Sequence, residues 1–248
     1  MGNYKLKLAI MQPTFNPWLG YFDLIDYVDE FIFLDTVQLN QQSWQTRNKI
    51  KINNKEHLVS LPIKKSQKKH ELLIKDTFID ISKFNFRVKL IKTLEQNYRK
   101  SLFYKEVHTF ITELIFYNEN NLSKYNINII QEICKKLDIS TKITILSNTQ
   151  YQQKHSKNEQ VLDICKYTQT STYISPIGSE EYLSHSYSKF HESNIAIFYQ
   201  NYTHPSYSQI GDSFLPYLGI FDLLYNVGFG RAKSIIQQGR NYTKKELL

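Results

Sequence analysis

Cysteine is scarce: Cys134 and Cys165 are the two in a chain of 248 residues, far apart and both in helix-periodic stretches. That excludes a disulfide framework and suits a reducing cytoplasm. Long apolar runs are missing too, and no window approaches the roughly 20 apolar residues of a membrane span. The run Leu8-Ala-Ile-Met11 behind Lys5 and Lys7 is ended by Pro13 and Asn16, well short of a signal-peptide core. A soluble cytoplasmic protein is expected. No His, Cys, Asp and Glu spacing matches a zinc or iron site, so there is no metal signature, and no G-x-S-x-G nucleophile elbow or Walker loop occurs. Gly228-Phe-Gly-Arg-Ala-Lys-Ser234 has a superficial likeness to a phosphate loop, but it follows a helix instead of a strand and is set aside.

What is present is basic and aromatic. With 31 Lys and Arg against 23 Asp and Glu the formal charge is +8, so the surface attracts the phosphates of nucleotides, nucleic acid or anionic lipid. The chain holds 18 Tyr and 15 Phe; these offer stacking surfaces for bases or sugars, although core and interface packing is the commoner use of any one ring. An apolar share of 41% supports a sizeable core, and nothing in the composition suggests disorder.

The stretch Ala9-Ile-Met-Gln-Pro-Thr-Phe-Asn-Pro-Trp-Leu-Gly-Tyr-Phe-Asp-Leu-Ile25 reads as a buried strand that breaks at Gln12-Pro13 and re-enters as a helix at Pro17, with Asn16 as its N-cap. Its second half returns late in the chain. Pro17-Trp-Leu-Gly-Tyr-Phe-Asp-Leu-Ile25 and Pro216-Tyr-Leu-Gly-Ile-Phe-Asp-Leu-Leu224 agree at six of nine positions. The flanks do not repeat, so the echo is read as two helices that enter at one rim with similar packing. Asp23 and Asp222, at equivalent places in the two copies, are read as structural.

Strands are expected at residues 6–11, 30–34, 142–146, 172–174 and 195–199, with helices at 17–28, 158–166, 179–185, 215–227 and 232–238. The first strand, helix and second strand form a βαβ unit. Between the second and third strands lie two insertions. Residues 43–80 read as a hairpin turning at Asn53-Asn54, with 72–79 as a further strand. Residues 82–137 read as three helices. The whole is a single α/β domain spanning 1–248: an open, mainly parallel, five-stranded Rossmann-like sheet with helices on both faces, a small antiparallel β insertion and a helical insertion. The basic run Lys64-Lys-Ser-Gln-Lys-Lys-His70 lacks interleaved aromatics and is read as a solvated loop.

Such sheets bind ligands beyond the C-terminal ends of their strands. Short polar groups gather there: Gln12, Thr14 and Asn16 after the first strand, Asp35, Thr36 and Gln38 after the second, Ser147 and Asn148 after the third, Ser175 to Ser179 after the fourth, and Gln200, Asn201, His204, Tyr207 and Gln209 after the fifth. Asn16-Pro-Trp18-Leu-Gly20 and Ser175-Pro-Ile-Gly178-Ser179 would offer helix N-terminal amides to an anion, with glycines that admit close approach. His204 is the candidate general base, with Tyr207 and Gln209 to orient a substrate. Trp44, Arg47 and Asn48 supply a stacking ring and a guanidinium suited to a base and a phosphate.

Met11-Gln-Pro-Thr-Phe-Asn-Pro-Trp-Leu-Gly-Tyr-Phe-Asp-Leu-Ile25, Asp35-Thr-Val-Gln38, Trp44-Gln-Thr-Arg-Asn-Lys-Ile50, His204-Pro-Ser-Tyr-Ser-Gln209 and Phe214-Leu-Pro-Tyr-Leu-Gly-Ile-Phe-Asp-Leu-Leu-Tyr-Asn-Val-Gly228 together resemble the WbqC-like family of bacterial surface-polysaccharide gene clusters. The resemblance implies a part in O-antigen or related lipopolysaccharide synthesis, as a transferase. A fainter resemblance in fold is to nucleotidylyltransferases and pantothenate synthetase. Trp18-Leu-Gly20-Tyr21 stands where their H-x-G-H motif would lie, and both phosphate-contacting histidines are absent.

The expectation is therefore a cytoplasmic transferase that adds an acyl or aminoacyl group to an amino sugar carried on a nucleotide. His204 and Asp35 are its catalytic candidates. Gln12, Thr14, Asn16, Trp18, Gly20, Tyr21, Gln38, Trp44, Arg47, Asn48, Ser175, Gly178, Ser179, Tyr207, Gln209 and Asn226 are its binding candidates. An ATP-dependent adenylating ligase or nucleotidylyltransferase is the alternative enzyme, and a non-catalytic nucleic-acid or assembly module the alternative class, with nucleic acid disfavoured as a partner. The expected partner is a nucleotide-linked sugar. No cofactor is singled out beyond an acyl or aminoacyl donor, or ATP.

Overall fold

The structure, a computed structural model, describes residues 6–40, 43–64, 72–82, 85–155 and 157–245. Its framework begins with β1 (Lys7–Met11), α1 (Leu19–Tyr27) and β2 (Glu30–Phe33), and β1 pairs with β2 in parallel. Alternation decides which face each strand residue serves. Leu8, Ile10 and Ile32 pack in one core, and Ala9, Phe31 and Phe33 pack in the other.

The remaining parallel strands are β5 (Lys142–Ile145), β6 (Thr172–Pro176) and β7 (Ala196–Gln200). A short strand, β8 (Tyr242–Lys244), adds antiparallel to β7. The sheet is open and six-stranded, in the order β5-β2-β1-β6-β7-β8. Connections leave β1 in opposite directions, toward β2 and later toward β6, so the topological switch point lies between β1 and β6. The α/β architecture, mainly parallel and covered on both faces, is the one expected; the sixth strand was not foreseen.

Helix α5 (Lys157–Tyr167) and the short α6 (Glu180–Ser184) and α7 (Tyr187–Glu192) cover the face that carries Leu8 and Ile10. Helices α1, α2 (Phe86–Tyr98), α3 (Tyr104–Ile115), α4 (Leu122–Lys136) and α8 (Ile220–Gln238) form the larger core on the other face. The hairpin is β3 (Arg47–Ile52) and β4 (Lys55–Ser60), and its turn is Asn53 and Asn54 with φ 48° and 59°, the left-handed pair that a two-residue hairpin needs.

Two expectations are corrected, the strand at 72–79 and the Asn16 cap. Residues 72–79 form no strand: a 3-10 turn, Ile74–Asp76, lies there between isolated bridges of Leu73 to Gln38 and Ile79 to Ile63. The two closing helices expected from the sequence are present as the two halves of α8, which meet at a kink at Gly228, whose φ is 70°. Asn16 does not cap α1, which starts at Leu19 behind Trp18; its Oδ1 accepts from the Phe221 amide at 3.1 Å and so caps α8. The Ile220 amide donates to the Pro17 carbonyl at 2.8 Å, and Trp18 bridges to Gly219. The two echoed segments thus meet at their helix N-termini. Residues 65–70 of the basic run lie outside the described residues.

Candidate functional site

The loop after β1 is tied down by the protein itself. Gln12 Oε1 accepts from Gln45 Nε2, and the Gln12 carbonyl accepts from Tyr21 Oη at 2.8 Å and Thr14 Oγ1 at 3.2 Å. Asn126 of α4 donates to the Pro13 and Gln45 carbonyls, and Asn48 donates to that of Phe15. Burial raises the Tyr21 phenol well above its usual value, so it stays a donor. The space a side chain would fill at Gly20 is taken by the Trp18 indole, 2.4 Å from an added Cβ. Gly20 is therefore glycine for Trp18, not for a ligand.

Asp35 is buried at the end of β2. Its carboxylate accepts from the Ser147 amide (3.1 Å), Ser147 Oγ (2.6 Å) and Ser123 Oγ (3.3 Å), which joins β2 to the end of β5 and to α4. Ser175 and Ser179 are buried and bond to one another, Gly178 stands exposed in open space, and α6 behind them has five residues. Gln38 is exposed beside its bridge to Leu73. Trp44 is half exposed while its carbonyl accepts from Phe15, and Arg47 begins β3 with Nε buried and unpartnered.

His204 sits among rings: Tyr217 at 5.0 Å, Phe214 at 5.9 Å and Tyr207 at 6.1 Å between centroids. Its Nδ1 lies 3.0 Å from the Pro205 carbonyl. A carbonyl only accepts, so Nδ1 carries the proton and the lone pair is on Nε2, which is buried without a partner. Burial holds this imidazole below its ordinary pKa. Trp18 contacts Tyr217, its counterpart in the second copy, at 5.8 Å.

Tyr207, Gln209 and Asn226 do come together. They line a cleft of about 460 Å³ between the α2–α3 turn, residues 206–210 and the interrupted helix α8. Gly228 makes this possible: at φ 70° it turns α8, and an added Cβ would lie 2.5 Å from the Phe103 ring in the cleft wall. The cleft also carries Lys100 and Arg231, both exposed. A neighbouring hollow of about 310 Å³ shares Lys100 and Ile210 and adds Lys51 and Arg99. This concentration of cations beside amides and hydroxyls suits a phosphorylated ligand with hydrogen-bonding substituents.

Behind the wall lies Asp222, fully buried. It accepts from Tyr98 Oη (2.8 Å), Tyr207 Oη (2.9 Å) and Gln209 Nε2 (2.9 Å). Desolvation raises its pKa from the ordinary 3.8 to about 6, against the lowering effect of these donors. Lys100, Arg231 and Asp222 were not among the sequence candidates. Arg231 lies in the glycine-containing run set aside as a mimic of a phosphate loop, and Asp222 is marked in sequence only as the echo of Asp23.

The profile of the WbqC-like protein family matches residues 12–234, a span that takes in both echoed segments, the hairpin and most of the residues that line the cleft. The chain belongs to the WbqC-like family. It is similar to the uncharacterized protein Rv1507c of Mycobacterium tuberculosis, at 30% identity over 227 residues that cover 90% of this chain and 94% of the relative. No solved structure matches it significantly. Membership of the WbqC-like family points to a function related to glycan biosynthesis. Among the described residues no helix is long and apolar enough to cross a membrane, and no group of three His, Cys, Asp or Glu is placed to hold a metal ion.

Proposed function

We propose that this WbqC-like protein is a transferase of O-antigen or related surface-glycan synthesis that adds an acyl or aminoacyl group to the amine of a nucleotide-linked amino sugar. The observation that carries this reading is the cleft at the turn of α8, where Lys100 and Arg231 stand beside Tyr207, Gln209 and Asn226. The two cations suit the diphosphate, with the Arg231 guanidinium able to engage two oxygens at once. The Tyr207 hydroxyl, which donates to Asp222, still accepts from a sugar hydroxyl, and Asn226 Nδ2 keeps one hydrogen for the sugar, whereas both amide hydrogens of Gln209 are taken by Leu215 and Asp222.

In the reaction the amine nitrogen attacks the acyl carbonyl carbon. A C–N bond forms, the donor's leaving group departs with its electron pair, and the amine proton passes to His204 Nε2. His204 does not itself line the cleft but packs against Tyr207, which does, with the rings 6.1 Å apart, so the reading requires the sugar amine to reach Nε2 past that ring. Removing a general base slows turnover by about 10²–10⁴-fold, and that is the loss expected for His204→Ala in a mass-spectrometric assay of N-acylated product. Turnover of His204→Ala at the wild-type rate would remove His204 from the mechanism. Incubation with ATP and a panel of carboxylates tests the adenylating alternative, which pyrophosphate release would favour.

A further inference from the structure

The two echoed segments bury their aspartates in parallel settings. Asp23 accepts from Gln200 Nε2 (2.9 Å) and Tyr242 Oη (2.7 Å), and Asp222 from Gln209 Nε2 (2.9 Å) and Tyr207 Oη (2.9 Å). The likeness extends to the glutamines. Gln200 Nε2 also donates to the Gly20 carbonyl at 2.9 Å, and Gln209 Nε2 to that of Leu215 at 2.9 Å.

The copies differ in two respects. Asp23 is touched by a cation, with Arg240 Nε 2.7 Å from Oδ1. The cation acting on Asp222 is Lys51, whose ammonium group is turned to the Ser213 carbonyl and to Gln209 Oε1 at 3.5 Å. The second difference is what stands in front. Tyr207 and Gln209 line the cleft, and so does Asn226, whose Nδ2 donates to the Asp222 main-chain carbonyl at 2.7 Å. None of the three side chains that hold Asp23 lines that cleft.

We infer that Asp222 is a positioning residue for the cleft: its carboxylate and main-chain carbonyl hold Tyr207, Gln209 and Asn226 as the polar wall that receives the sugar of a nucleotide-linked substrate. The naming of the substrate rests on the function proposed above; the assembly of the wall does not. A charged carboxylate only accepts, so it takes the Tyr98, Tyr207 and Gln209 donors together, whereas its protonated form brings a hydrogen among them, one tyrosine hydroxyl must reverse from donor to acceptor, and the charge that strengthens the other bonds is lost. The titratable and charged groups facing Asp222 are Lys51 of β3, Tyr98 of α2 and Tyr207 of residues 201–219. Burial, followed by the charge of Asp222, holds both tyrosines well above their usual value, so they stay donors. With Asp222 titrating at about 6, the wall is assembled at neutral pH and loosens as the pH falls.

The test follows the Gln209 side-chain amide and the Tyr207 ring by nuclear magnetic resonance in the full chain between pH 5 and 8, with calorimetric titration of a uridine-diphosphate-linked amino sugar over the same range. Both sets of signals are expected to shift together, with a midpoint near 6 in the wild type and in Asp23→Asn, and to lose that step in Asp222→Asn. Affinity for that sugar nucleotide is expected to fall at least threefold from pH 7 to pH 5. Signals of the wild type that stay fixed across the range overturn the role of Asp222, whether or not Asp222→Asn folds. A clear step without nucleotide binding at any pH leaves the positioning role standing and counts against the nucleotide-sugar reading instead.

Discussion

Asp222 shows how one residue can serve a site at the expense of stability. Its pKa in the fold, about 6, lies above its ordinary 3.8. Between those values the native state binds more proton than the unfolded chain, so the contribution of this group to stability declines as the pH rises and is lowest above 6. The difference is on the order of 3 kcal/mol. Asp222→Asn should therefore flatten the difference in unfolding free energy between pH 4 and 6.5, measured by denaturant titration of mutant and wild type; parallel curves would exclude the raised carboxylate. Asp23, with Arg240 in contact and Asp26 beyond it at 2.5 Å from the same guanidinium, serves stability alone. Arg240→Ala should lower the unfolding free energy by about 3 kcal/mol by stranding a buried carboxylate. Such roles are hard to read from sequence, since Phe-Asp-Leu is written identically in both copies and the partners come from elsewhere in the chain.

Elements that organise themselves locally were legible. β1, α1 and β2 follow from short apolar runs and a helical period, and the hairpin follows from Asn53-Asn54 between strand-prone runs. Elements held by remote partners were not. β8 has three residues and no apolar pattern, and it is kept in place by pairing with β7 and by Tyr242 at the Asp23 cluster. The cap of α8 comes from Asn16, 205 residues away in the chain. Asn16 also adopts φ 45°, a conformation that Asn and Gly tolerate better than Ala. Asn16→Gly should thus lose only the cap, about 1 kcal/mol, and Asn16→Ala roughly twice that, by equilibrium denaturation. Equal losses would mean that the backbone conformation is unimportant there. At Gly228, Ala combines a φ of 70° with a clash on Phe103; a loss of about 2 kcal/mol or more is expected, together with a changed cleft.

At the scale of the molecule, the sheet order puts the switch point between β1 and β6, where Gln12 is held by Gln45 and Ser175 by Ser179, and polar residues elsewhere are consumed in the same way, Asp35 after β2 by Ser123 and Ser147 and Asn48 of β3 by Phe15. Strand-end reasoning singled out Tyr207 and Gln209 after β7, and both line the cleft. It did not single out Lys100 and Arg231, because Lys100 lies in the turn after α2 and Arg231 on α8, away from the strand ends, where charges look like ordinary solvated surface. The decisive measurement is calorimetric titration of the full chain at pH 7 with uridine- and thymidine-diphosphate-linked amino sugars. Saturable binding at one site per chain is expected, weakened at least tenfold by Arg231→Ala and by Lys100→Ala. Flat heats across the panel, or binding that both substitutions leave unchanged, would contradict the assignment of this cleft to a nucleotide-linked sugar.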